Sequence, residues 1–225
     1  MKILFKKEED VIPQNFGWSD GTPWQHLSSM HHKGTAKVKK FGVILLEQNP
    51  IKRTVLVVQN GQRNYKRICI PYTQFLINYS VVEPNKSYKK YVYHGIAEQG
   101  LHVFMSSSPL SKISQKVYSS IFDPSYYGLI CTDHANDYGV SFDTLKELCK
   151  FSASDYFSYP VFLQSNIVEI LKNEKIENVS FKNVFRSTPL SINSHVEQNL
   201  KQGYISKEIL QRPRVKRISR KNNDL

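Results

Sequence analysis

Apolar residues along this chain fall into two regimes. Through residue 106 they come in short runs bounded by turn formers: FGVILLE (41–47), TVLVVQ (54–59), ICIP (68–71), QFLINYSVV (74–82), YKKYVYHG (88–95) and LHVFMS (101–106). Runs of this length, rich in β-branched and aromatic residues, predict strands. The QNPIKR turn with Pro50 joins the first two as a hairpin, and NGQRNYKR (60–67) reads as a polar turn opening on Asn60-Gly61. EPNKS (83–87) reads as a further turn, and YKKYVYHG with LHVFMS as another strand pair.

The pattern then breaks. SSSPLSKISQ is loop-like, VYSSIF (117–122) is short and apolar, and YYGLIC (126–131) is a brief strand or the straight approach to a turn. Beyond it the period lengthens. Thr144-Leu-Lys-Glu147 fits a capping box, followed by Leu145, Leu148 and Phe151 at helical spacing. Asn166 to Lys172 carries Ile167, Ile170 and Leu171 on one face. Thr188-Pro189 reads as a helix start, Val196 and Leu200 continue that face, and Gly203 ends it. Strands first and helices after predict an α+β domain over 36–200, an antiparallel sheet with helices on one side. Residues 1–35, with the turn-rich FGWSDGTPW (16–24), read as an irregular arm, and 201–225 as a basic, mobile tail without an apolar face.

At 40% hydrophobic and 12% aromatic, 225 residues supply a real core, which argues against wholesale disorder. MKILFKKEEDV has too short an apolar run for a signal peptide, and no segment approaches the roughly 18 apolar residues of a membrane span. Cys69, Cys131 and Cys149 are an odd set without framework spacing, which points to free thiols, a reducing compartment and a cytoplasmic location.

Charge changes the picture further. The net +12 is concentrated: +8 over residues 33–67 and +6 over 201–225, against −1 over 1–32 and −1 over 68–200. Lys33, Lys37, Lys39, Lys40, Lys52, Arg53, Arg63, Lys66 and Arg67, with Arg212, Arg214, Lys216, Arg217 and Arg220 of the tail, are of the type that contacts phosphates. They predict sequence-independent, salt-sensitive nucleic-acid binding; a solvated basic surface is the alternative. Tyr88, Tyr91, Tyr93, Phe104, Tyr118 and Phe122 are of the type that stacks on bases, with core packing as their default role.

Candidate chemistry centres on Cys131, which ends an apolar run and precedes a polar cluster. His134 is a neighbouring base, whereas Asp133 and Asp137 oppose thiolate formation. Local chemistry alone leaves open a structural thiol, a nucleophile, or half of a zinc site as Cys131-x-x-His134, for which no second ligand pair is present. No phosphate-binding or dinucleotide-binding glycine motif occurs, and no cofactor is expected.

An ordered series of short motifs runs from Leu101 to Phe185: LHVF (101–104), VYSSIF (117–122), Gly128-Leu-Ile-Cys131, DYFSYP (155–160), Asn166-Ile-Val-Glu-Ile-Leu-Lys172 and FKNVF (181–185). In this order and spacing the region resembles the PRTRC-system protein B family, a prokaryotic ubiquitin-conjugating-enzyme-like group carried on mobile elements. The resemblance implies a ubiquitin-conjugating-like fold whose sheet is the strand-rich front half. It implies Cys131 as a thioester-forming nucleophile that accepts the C-terminal acyl group of a ubiquitin-like protein from an activating enzyme. Tyr118, Phe122 and Gly128 then shape the loop, and Asp123 and His134 flank the nucleophile. One departure matters: Asp123 stands where the family usually has an oxyanion-stabilising Asn, so a binding-only member is the alternative. The rival expectation is a non-catalytic nucleic-acid-binding or structural accessory protein of a plasmid or phage, using the basic segments.

Overall fold

Eleven consecutive residues, Tyr72–Val82, form the strand around which the larger sheet is built, and every one after Tyr72 is buried. The structure, a computed structural model, describes residues 1–10, 38–84, 89–95, 101–122, 128, 141–158, 160–173, 181–185 and 187–204. Its strands are β1 (Lys2–Asp10), β2 (Val38–Gln48), β3 (Ile51–Gln59), β4 (Gln62–Ile70), β5 (Tyr72–Val82), β6 (Val92–Gly95), β7 (Leu101–Ser106), β8 (Tyr118–Ser119) and β9 (Val161–Phe162). Its helices are α1 (Leu145–Tyr156), α2 (Ser165–Asn173), the single turn α3 (Phe181–Val184) and α4 (Ile192–Lys201).

The α+β class with antiparallel sheets is as expected, but the pairing differs. The larger sheet has the order β1-β2-β5-β7-β8, with β6 also on β5. β1 falls within the expected irregular arm, yet it pairs along β2 from Lys2 opposite Glu47 to Asp10 opposite Lys40. Leu4 and Phe5 are the buried residues of a strand whose charged KKEED half hides its period.

β2 and β3 do not form the expected hairpin. Both edges of β2 are taken, by β1 and β5, so β3 turns out of that sheet after Pro50 and pairs with β4. The segment expected as a polar turn, 60–67, is thus mostly strand. Only Asn60 and Gly61 turn, with φ of 48° and 77°. Two successive positive φ values mark the two-residue hairpin whose twist matches its strands. Pro50 and Pro71 bracket this hairpin, and β9 joins it in parallel to give a second sheet, β4-β3-β9.

β6 and β7 do not pair with each other either. β5 is long enough to hold both on one edge, β7 along Tyr72 to Ile77 and β6 along Tyr79 to Val82.

The expected placement of helices on one side also fails. Alternate residues of β2, β5 and β7 enter two cores. Ile44, Leu46, Phe75, Ile77, Val103 and Met105 face the second sheet and α1, α2 and α3. Val43, Leu45, Leu76 and Phe104 face the other way, where Ile192 and Val196 of α4 cover them. Near-continuous apolar strands such as FGVILLE are what a sheet covered on both faces requires.

The helix signals fared better. Thr144 caps α1 with both arms of the capping box, and Leu148, Ala153 and Tyr156 face the core. Ile167, Val168 and Leu171 are the buried face of α2. α4 starts later than Thr188-Pro189, with Ser191 as its N-cap, because Leu190 is held in a bridge to Val117. Gly203 does end it: its N–H bonds to the Leu200 carbonyl and that of Tyr204 to the Asn199 carbonyl, a left-handed cap. Among the described residues no helix is long and apolar enough to cross a membrane.

Candidate functional site

Cys131, Asp123 and His134 lie outside the described residues, as do Lys33, Lys37 and the tail cations Arg212, Arg214, Lys216, Arg217 and Arg220. The three expected site-shaping residues are described, and they serve packing. Tyr118 stacks on Phe185 with ring centroids 4.7 Å apart. Phe122 meets Phe157 edge-on at 5.9 Å. Gly128 is buried with φ 80°, and its carbonyl accepts the Val103 N–H at 2.7 Å. A Cβ there would press into the Phe104 ring and the Val103 carbonyl oxygen, so Gly128 lies against β7 at a point only glycine fits.

The other two thiols are harder to ionise than a free one. Burial pushes Cys149 up to about 12, and Cys69 is also raised by burial, with Lys52 partly opposing.

The described basic residues divide by strand face. Lys39 donates to the Tyr91 hydroxyl at 3.1 Å and lies 4.8 Å over its ring; Lys40 is on the same strand, opposite Val81. Arg53 points inward and sits 4.4 Å over the Phe157 ring, half-buried, with burial lowering its pKa. Lys66, opposite the buried Val55, is on that same inward register.

The outward register is different. Directly paired residues share a face. Lys52 pairs with Cys69, Thr54 with Arg67, Leu56 with Tyr65 and Val58 with Arg63, while Phe162 of β9 lies beside Val58. Their sequence neighbours Val55, Val57, Ile68, Ile70 and Val161 fill the core, which turns this set to solvent. Tyr65 and Phe162 are each 76% exposed. One sheet face therefore carries two open aromatic rings and the cations Lys52, Arg63 and Arg67. No acidic residue occurs in the chain between Glu47 and Glu83, so nothing on the hairpin offsets that charge.

Sequence reasoning named Arg63 and Arg67 but missed both rings. Phe104, named as a stacking candidate, is fully buried. Tyr65 had a signal, an aromatic alternating with cations in RNYKR; Phe162 had none, because its exposure depends on β9 joining β3.

A cleft of about 700 Å³ adjoins this face. It lies between the β3–β4 turn, the segment Ser119–Ile121, the start of α2 and the end of α3, and Val58 and Phe162 belong to both cleft and face. Beneath it the Ser120 and Tyr156 hydroxyls are hydrogen-bonded, and the Ser119 N–H donates to Ser187 Oγ at 3.2 Å. Comparison with protein-family models, curated proteins and solved structures returns no match.

Proposed function

We propose that the protein binds single-stranded nucleic acid on the outward face of the β4-β3-β9 sheet. The observation that carries this is the joint display of Tyr65 and Phe162, both widely exposed, with Lys52, Arg63 and Arg67 on one acid-free face. Exposed aromatics gathered on one face, unlike single scattered ones, mark an interaction surface. Positive charge around them favours a polyanion over an apolar protein surface. Unpaired bases stack on aromatic rings, and phosphates meet the cations, a division of labour that a duplex with its bases already stacked cannot use.

The test is fluorescence anisotropy of labelled single-stranded and duplex oligonucleotides. Tyr65→Ala and Phe162→Ala are expected each to cost about 1–3 kcal/mol of single-strand affinity. Duplex binding, a phosphate-only interaction, should change little. Both side chains are exposed, so the urea midpoint should hold. Absence of binding at about 50 mM salt, or wild-type affinity in both variants, rejects the reading.

A second reading keeps Cys131 as the nucleophile of a ubiquitin-conjugating-like protein. What favours it is the succession β1-β2-β5-β7, an antiparallel order broken in the described chain by the β3–β4 hairpin and by β6, with the helices after it. The two readings use different residues and are compatible.

A further inference from the structure

The cleft beside Phe162 has a lining that the sheet face lacks. Its described residues include not one ionisable group. They combine apolar walls, Ile121, Ile167 and Val184, with amide and hydroxyl groups from Asn60, Gln164, Asn166 and Ser187.

This chemistry selects. A phosphate or other anion finds no cation in the described lining. A purely apolar ligand would bury the amides unpaired. A flat, neutral heterocycle with both donors and acceptors meets the apolar walls with its faces and the amides with its edge. The volume is within the range of small-molecule sites.

We infer that the cleft receives an unpaired nucleobase, turned in from a strand that lies across the outward sheet face. The inference rests on the preceding reading for the source of the base. Continuity supports it: Phe162 and Val58 form the cleft mouth and are also part of the sheet face, so a base stacked on Phe162 sits at the opening. Asparagine and glutamine side chains are suited to reading base edges, because each presents a donor and an acceptor side by side. The cleft therefore gives base preference to a surface whose cations give none.

The experiment uses the full-length protein and free nucleosides, which carry no phosphate and so do not depend on the basic face. Adenosine, guanosine, cytidine and uridine are titrated separately while the side-chain amide NMR signals of Asn60, Gln164 and Asn166 are followed. Saturable shifts are expected for at least one nucleoside in the millimolar range. They should vanish in Asn166→Trp, which plugs the cleft from an exposed position, and persist in the Arg63→Gln/Arg67→Gln double variant. No shift with any of the four nucleosides, or shifts unchanged in Asn166→Trp, overturns the inference. Either result leaves strand binding to its own assay, where the wild type still has to lose affinity on Tyr65→Ala. If oligonucleotides fail to bind but nucleosides do, the cleft stands and the sheet-face reading falls.

Discussion

At the scale of single residues, two imidazoles within an apolar core bear on stability. His102 and His195 are both fully buried on the α4 side of the sheet, with Phe104 against each ring. His195 Nε2 donates to the Val117 carbonyl at 2.9 Å. His102 has no partner for either ring nitrogen among the described residues. Burial, with a smaller effect of His195, lowers the His102 pKa to about 3. The folded imidazole therefore stays neutral while the unfolded one charges near 6.5. Stability is then complete above that pH and falls as pH drops from the unfolded value toward the folded one. Between pH 7 and 5 this amounts to about 2 kcal/mol, with His195 adding in the same direction. Urea unfolding at the two pH values checks it: His102→Leu should lose the larger part of the slope, and an unchanged slope would refute the assignment. An imidazole in LHVFMS is legible in the sequence as a strand residue. That it faces a second core is not, because the covering helix is some ninety residues further on.

At the scale of elements the β3–β4 hairpin separates two uses of positive charge. Arg63 and Arg67 alternate outward with Tyr65, whereas Arg53 is turned inward onto Phe157. Their contributions should separate in the salt dependence of single-strand binding. Each lost phosphate contact lowers the log–log slope by about 0.7 for a single strand. Arg63→Gln/Arg67→Gln is thus expected to reduce the slope by about 1.4, measured by anisotropy across a salt series. Arg53→Gln should leave the slope alone and lower the urea midpoint instead, since it removes packing on Phe157. Equal slopes in all three proteins would mean that phosphates do not meet this face. The same hairpin marks the limit of reading strands in order. Asn60-Gly61 is a strong local hairpin signal, but the polar RNYKR after it resembles a loop, because a strand that is half solvent-exposed and half charged shows little hydrophobic period.

At the scale of the whole molecule, two sheets and two cores decide what is on the outside. The conjugating-enzyme reading is tested at this scale, because it needs Cys131, a ubiquitin-like protein and an activating enzyme together. A reductant-sensitive adduct is expected on the wild type and absent from Cys131→Ala; the same adduct on both would end that reading. What the sequence by itself determined is local. The apolar runs set most strands, the Thr144–Glu147 box and Gly203 set helix ends, and the absence of acids between Glu47 and Glu83 set a basic hairpin. These follow from dihedral preference, capping and charge, which act between residues close along the chain. Tertiary structure alone decided that β3 leaves β2 for β4, that α4 covers the far face, and that β9 docks beside β3. Such choices depend on which edges and faces are already occupied when a strand arrives, a property of the assembled layers. The exposed pair Tyr65 and Phe162, almost a hundred residues apart in the chain, shares a face only as a consequence of them.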